Sequence, residues 1–320
     1  MTWLFPSDVG DRHCIVRKLV RVGDGRVKPA HDGRWVERIV LSLLLTVLLS
    51  GLAAATELKL STWNLEWLTD RQAGDRALPA NVHPKQLADI DHLQQYATQL
   101  DADVIAIQEV DGPIVAARVF PRDKYSIQMS RDHVVQRVGI VVRQAIHYDV
   151  NPDVTTLDVG PSHALRSGVD ITLTLQPAPL RILAVHLKTG CFDRPLNKEP
   201  HGACEELEEQ RTALIDWIRA RQADGIAFVV MGDFNRHMDG KDQFWSALKR
   251  AAPLIRATEG HSSPCWGSEY FIDHIILGDA ARDWLVPDSL RVLSYRETGA
   301  EWKERLSDHC PVSIRLRLPD

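Results

Sequence analysis

The chain has 320 residues, of which 44% are hydrophobic and 25% are charged. This composition is typical of a globular protein and excludes a disordered chain, and no repeat of fixed period or low-complexity tract is visible. The net charge of −5 gives no sign of a broad basic field, which disfavours tight nonspecific binding to duplex DNA.

The amino-terminal stretch has the pattern of a secretory leader. An apolar run over 39–49 is preceded by Arg34 and Arg38 and followed by three alanines at 53–55. These are the three regions of a cleaved signal peptide, and the run is shorter than the ~20 apolar residues that span a membrane. We therefore predict a signal peptide over 36–55 and a secreted or periplasmic protein without a membrane span after cleavage. An uncleaved membrane anchor is the alternative.

Residues 1–35 precede this leader and show no sustained apolar period. Because a signal peptide normally begins the chain, we interpret them as a disordered, over-extended start, with the true start near Val36. After removal of 1–55, the chain keeps 30 basic and 38 acidic residues, a net charge of −8.

Short apolar strands alternate with amphipathic helices from residue 56 to the end. Apolar runs predict strands over 58–62, 104–107, 138–142, 169–175, 181–186, 228–231, 271–277 and 312–316. Apolar residues at helical spacing predict helices over 85–100 and 205–221. Since no linker interrupts the pattern, we predict a single domain over 56–320.

Polar side chains recur where these strands begin or end. They are Asn64, Glu109, His186, Asp233, Asn235, Asp308 and His309. Each alone is more often a turn, cap or surface residue, but strand ends in a sheet converge on one rim, where ligands bind. A rim of carboxylate, amide and imidazole groups predicts a cation site with a base nearby.

Four cysteines follow the leader, and an even number in an oxidising compartment favours disulfides. We expect Cys191 to pair with Cys204. The alternative is a zinc site formed by these two and His201, although the spacing matches no standard zinc pattern. Cys265 and Cys310 can form a second pair or remain buried thiols.

Six segments, in this order, resemble motifs of the endonuclease/exonuclease/phosphatase superfamily, which includes pancreatic-type deoxyribonucleases, apurinic endonucleases, neutral sphingomyelinases and inositol polyphosphate 5-phosphatases. The segments are TWNLEW (62–67), IAIQEV (105–110), AVHLK (184–188), GDFN (232–235), FIDHI (271–275) and SDHCPV (307–312). The resemblance implies an α/β fold of the deoxyribonuclease I type, a four-layer α/β/β/α sandwich in which two mixed β-sheets pack together.

The resemblance also implies a metal site. Glu109 is expected to be the main carboxylate ligand of Mg²⁺, with Asn64 beside it. Glu66 stands where some relatives place another metal carboxylate, and Asp308 is expected either to help ligate the metal or to fix the tautomer of the histidine that follows it. Mn²⁺ and Ca²⁺ are expected substitutes for Mg²⁺.

Catalytic roles follow from the same resemblance. Asp233 is expected to orient or deprotonate the attacking water, and Asn235 to hold the phosphate or that water. His309 is expected to contact the phosphate or transfer a proton, with Asp308 as its acidic partner.

A second histidine–carboxylate pair is expected between His186 and Asp273, with His186 acting as an acid or charge stabiliser. Arg166 and Lys188 are candidate phosphate contacts. His274 is expected to be structural, because adjacent strand residues face opposite ways.

The expected activity is Mg²⁺-dependent hydrolysis of a phosphodiester, with DNA or RNA as substrate, by a secreted monomer that acts as a nuclease. A phosphatase or phospholipase C-type enzyme on a lipid or inositol phosphate head group is one alternative, and an inactive binding module on the same fold is another. No apolar hairpin suited to membrane insertion and no basic cluster suited to polyphosphates is visible. The complete set of acids and histidines argues against the inactive module.

Overall fold

A computed structural model describes residues 57–160, 165–196, 202–268 and 270–319. The predicted start over 1–35, the signal peptide over 36–55 and His201 lie outside the described residues. The strands are β1 (Glu57–Leu68), β2 (Val104–Val110), β3 (Tyr125–Met129), β4 (Arg137–Arg143), β5 (Tyr148–Val150), β6 (Val169–Leu173), β7 (Leu180–His186), β8 (Phe228–Asp233), β9 (Leu254–Arg256), β10 (Asp273–Gly278), β11 (Arg291–Val292) and β12 (Val312–Arg317). The α-helices are α1 (Leu87–Leu100), α2 (Pro113–Val119), α3 (Ala203–Asp224), α4 (Gln243–Ala251), α5 (Ala281–Trp284) and α6 (Glu301–Arg305).

The described strands form two six-stranded mixed sheets. One has the order β11-β12-β1-β2-β4-β3, and the other has the order β5-β6-β7-β8-β10-β9. Each sheet contains one parallel pair of strands, β1 with β2 in the first sheet and β7 with β8 in the second. All other neighbouring strands in the two sheets are antiparallel. Parallel neighbours need a long crossover, and here α1 and α3 supply it.

Alternating side chains on the central strands build three apolar layers. On β1, Leu58 and Leu60 lie in the core between the two sheets, whereas Trp63 and Leu65 pack with α1 and α2 on the outer face. On β7, Ile182 lies in the central core, and its neighbours on the other face pack under α3 and α4. Burial on both faces explains the nearly continuous apolar runs, and the predicted four-layer sandwich is confirmed.

Helix α3 shows how local chemistry sets the limits of an element. Glu205 and Glu206 lie in its first turn, where negative charge suits the positive end of the helix dipole. The helix ends at Asp224, and the capping residue that follows, Gly225, has a φ of 64°, in the left-handed region that glycine adopts without strain.

Two disulfides are present, Cys191–Cys204 and Cys265–Cys310. The first is the pair that we expected from the sequence. It contradicts the zinc alternative, since both sulfur atoms are bonded to each other. None of the helices in the described ranges has the length and apolar character needed to cross a membrane.

Candidate active site

Asn64 connects the carboxyl ends of strands from both sheets. Its amide nitrogen, at the end of the regular part of β1, donates to Glu109 Oε1 at 3.1 Å and to Asp233 Oδ2 at 3.0 Å. Glu109 lies near the end of β2, and Asp233 is the last residue of β8. The rims of the two sheets therefore meet at one polar cluster, and both Asn64 and Asp233 are buried there.

A tight passage at the end of β8 positions Asp233 and Asn235. Gly232 faces Val185 on β7, and a Cβ at this glycine would lie 1.9 Å from the Val185 carbonyl oxygen. Asn235 has a φ of 50°, a costly conformation for a residue with a side chain. Its backbone N–H donates to Asp233 Oδ1 at 2.7 Å, and its side-chain nitrogen donates to the Leu187 carbonyl at 3.0 Å. These bonds hold the strained turn in place.

His309 is held between two carboxylates. Its Nδ1 lies 2.7 Å from Asp273 Oδ2, and its Nε2 lies 3.6 Å from Asp233 Oδ2. Burial alone would lower the pKa of His309, but the charges of Asp273 and Asp233 outweigh it and hold the pKa well above the usual value. Burial also raises the pKa of Asp233 to about 7, against the opposing charge of His309. The imidazole is therefore protonated at neutral pH.

The acid that hydrogen-bonds His309 is Asp273, rather than the expected Asp308. Asp273, on β10, lies directly opposite Asp233 on the antiparallel strand β8, and this register brings Asp273 to His309 Nδ1. The Asp308 side chain is 54% exposed, and its Oδ1 lies 3.7 Å from His309 Nε2. The acid adjacent in the chain therefore lies near the other ring nitrogen and does not make the hydrogen bond at Nδ1.

His186 contacts Arg166, which contradicts its expected pairing with Asp273. Arg166 Nη2 lies 2.9 Å from His186 Nε2 and 3.1 Å from His186 Nδ1. Burial and then the Arg166 charge hold the pKa of His186 well below its usual value, so this imidazole is neutral. Its Nε2 lies 3.7 Å from Glu109 Oε1 and 3.6 Å from Asp233 Oδ2.

Both predicted phosphate contacts have partners within the protein. Arg166 is only 7% exposed, and its guanidinium is engaged by His186. Lys188 Nζ lies 2.9 Å from Glu206 Oε2, because the acidic first turn of α3 attracts it.

Four oxygen-bearing residues form a second part of the cluster. The backbone N–H of Glu66 donates to Asn64 Oδ1 at 2.9 Å, and Glu66 Oε2 accepts from the Asp308 backbone N–H at 3.1 Å. Glu66 and Glu109 have φ values of 41° and 61°, in the left-handed region. Burial, and then the charge of Asp308, raises the pKa of Glu66 to about 7. A bound cation would favour the charged form of Glu66 and so offset the cost of burying that charge. Oxygen ligands suit Mg²⁺, so these residues fit the ion.

Asp233, Asp273 and His309 also bring three possible ligand atoms within 4.8 Å of one another. This group is centred on His309 and contains none of the predicted metal ligands. The residues predicted to hold the cation, Asn64, Glu66, Glu109 and Asp308, form a separate set that can offer oxygen ligands.

Several supporting residues were not predicted. Gln136 donates to Glu109 Oε2, and the Ser307 hydroxyl donates to the Asn64 carbonyl at 2.7 Å. Lys85 is buried, its Nζ donates to the Glu304 carbonyl at 3.1 Å, and burial lowers its pKa. Ser307 precedes Asp308 in the last motif and could have been found there, whereas Gln136 and Lys85 carry no sequence signal.

Comparison with known proteins agrees with this architecture. The sequence profile of the Endonuclease/Exonuclease/phosphatase family matches residues 61–309. The chain therefore belongs to this family. No curated protein sequence matches it.

Solved structures share the fold at low sequence identity. Truncated TDP2 from Caenorhabditis elegans is 14% identical with a TM-score of 0.59, over 82% of this chain and 98% of that chain. The human Nocturnin catalytic domain with bound sulfate is 15% identical with a TM-score of 0.52, over 81% and 93%. The 3′ phosphatase NExo from Neisseria, bound to a product DNA hairpin, is 18% identical with a TM-score of 0.52, over 82% and 100%. At these identities the likeness establishes the fold alone.

Proposed function

We propose that this protein is a secreted, divalent-metal-dependent phosphodiesterase that cleaves nucleic acid. One observation carries the proposal. Two imidazoles of opposite protonation, neutral His186 and protonated His309, each place Nε2 3.6 Å from the same oxygen, Asp233 Oδ2. Neighbouring titratable groups whose surroundings shift their pKa values in opposite directions are typical of acid–base catalysis.

Asp233 is suited to accept the proton of an attacking water. Its pKa of about 7 matches neutral pH, where a general base works best. Its orientation is fixed by hydrogen bonds from Asn64 and from the Asn235 backbone. His309, held by Asp273, presents a positive Nε2 that can bind a phosphate oxygen or protonate a leaving group.

Glu109 and Asn64, with Glu66 and Asp308 beside them, would hold Mg²⁺, for which Mn²⁺ or Ca²⁺ could substitute. When bound, the ion neutralises phosphate charge and stabilises the leaving oxygen. The neutral His186 adds no competing positive charge next to Glu109.

Two further observations support secretion and a nucleic-acid substrate. Two disulfides are typical of an oxidising compartment. Among the structural neighbours, one is TDP2 from D. rerio complexed with a single-strand DNA product, and NExo is bound to a DNA hairpin. The complete acid–base set also speaks against an inactive binding module.

The test is hydrolysis of bis-p-nitrophenyl phosphate by the purified protein. We expect turnover with Mg²⁺, loss in EDTA and recovery on adding Mg²⁺ back. Asp233→Asn should reduce kcat by about 10²–10⁴-fold, because the base is lost while its size is kept. Asp216→Asn, on the exposed face of α3, is the control and should behave like the wild type. Full activity of Asp233→Asn would refute the assignment.

A further inference from the structure

Two rings outside the catalytic cluster stack at its edge. The ring centroids of His237 and Tyr270 lie 4.8 Å apart with an interplanar angle of 23°. Tyr270 is 60% exposed, so a ligand can reach its side chain. His237 Nδ1 lies 2.9 Å from Asp193 Oδ2, which fixes the orientation of the imidazole. The pair is a preformed aromatic surface.

This surface forms one wall of a pocket that reaches the catalytic groups. The pocket has a volume of about 150 Å³, and its lining includes His237, Tyr270, Asp273, Asp308 and His309. Asp273 uses Oδ2 to hold His309, while its buried Oδ1 has no hydrogen-bond partner among the described residues. A buried acceptor without a partner is costly, and a ligand that brings a donor would satisfy it.

The charge of the pocket limits what it can bind. Within the described part of the chain, its lining contains acidic, hydroxyl, apolar and imidazole groups but no lysine or arginine. Apart from His309, which the catalytic cluster already uses, the lining offers no cationic side chain. An additional phosphate would face Asp273 and Asp308, so the pocket disfavours a second phosphate. It favours a flat, uncharged ring that carries a hydrogen-bond donor, which describes a nucleobase.

Both disulfides anchor this wall. Cys191, bonded to Cys204, lies two residues before Asp193, and Cys265, bonded to Cys310, lines the pocket itself. Loops fixed in this way lose little conformational freedom when a ligand stacks on them, which favours binding.

Resting on the proposed phosphodiesterase function, we propose that the His237–Tyr270 pocket binds the nucleobase next to the scissile phosphate. A base inside a duplex is stacked on both faces and cannot enter a side pocket without being extruded. The preferred substrate is therefore single-stranded or unpaired nucleic acid.

The test compares oligothymidylate with an oligomer of the same length whose residues lack bases. The wild type should show a kcat/KM for oligothymidylate about 10-fold higher than for the base-free oligomer. Tyr270→Ala should bring the two kcat/KM values close to each other. Tyr270→Phe should keep the wild-type difference, because the ring rather than the hydroxyl stacks on the base. Ile114→Ala, which changes another exposed apolar residue (74% exposed) on α2, is the matched control and should keep the wild-type ratio.

Binding separates this inference from the proposed function. Fluorescence anisotropy of both labelled oligomers with the Asp233→Asn variant needs no turnover, and it should show the same base-dependent contrast. Equal binding of the two oligomers, or a contrast that Tyr270→Ala leaves intact, would overturn the pocket assignment. Absence of hydrolysis together with base-dependent binding would overturn the phosphodiesterase proposal and leave the pocket supported.

Discussion

His274, the strand neighbour of Asp273, makes the stability of the fold depend on pH. It is 1% exposed, its Nε2 lies 2.9 Å from the Arg236 carbonyl oxygen, and its Nδ1 lies 2.6 Å from Thr258 Oγ1. A neutral imidazole with its proton on Nε2 satisfies both partners, since it donates to the carbonyl and accepts from the hydroxyl. Burial, and then the charge of Arg256, lowers the pKa of His274 to about 3.

The sign of the effect follows from this depressed pKa. In the unfolded chain His274 titrates near 6.5, so below that pH the unfolded state takes up a proton that the folded state does not bind. The stabilisation is present above pH 6.5 and is lost as the pH falls toward 3. Between pH 7.5 and pH 5.0, the free energy of unfolding should decrease by about 2 kcal/mol from this residue alone.

Urea unfolding of the wild type and of His274→Gln at these two pH values measures the effect. Glutamine retains a donor and an acceptor but does not titrate, and the contributions of all other groups are shared by both proteins. The loss of unfolding free energy on acidification should be about 2 kcal/mol smaller in the variant. An equal loss in both proteins would refute the assignment of a buried neutral imidazole.

Three further changes test other parts of the structure. Gly232→Ala should prevent folding or lower the melting temperature strongly, because the added Cβ would clash with the Val185 carbonyl. Gly240→Ala, at a position with open space around it, is the control. Equal melting curves for the two variants would contradict the clash. Asp273→Asn should reduce kcat by about 10²–10⁴-fold with the melting curve retained, and an unchanged kcat would exclude its role in holding His309. Lys85→Met should tighten Mg²⁺ binding in calorimetry, because it removes a buried positive charge near Glu66 and Asp308, and weaker binding would contradict this.

The central strands and the members of the catalytic cluster could be predicted because their signals are local. Strands buried on both faces appear as apolar runs, and the polar residues at their ends stand out against them. The elements that were missed, namely β3, β5, β9, β11, α2, α4, α5 and α6, have nine residues or fewer and are set by tertiary contacts.

Partner assignments within the site depend on strand register, which the sequence does not display. Asp273 reaches His309 because β10 pairs with β8 at Asp233, and nothing near Asp273 in the chain indicates this. Arg166 meets His186 from 20 residues away, across the β6–β7 hairpin. The stacking of His237 on Tyr270 likewise joins residues without a motif.

The most direct test of the central claim is a Mg²⁺ titration of bis-p-nitrophenyl phosphate hydrolysis by the wild type and by Glu109→Gln. If Glu109 and Asn64 hold the cation beside Asp233, the wild type should show saturable Mg²⁺ dependence, and the variant should need at least about 10-fold more Mg²⁺. Hydrolysis that persists in EDTA, or identical Mg²⁺ curves for the two proteins, would contradict it.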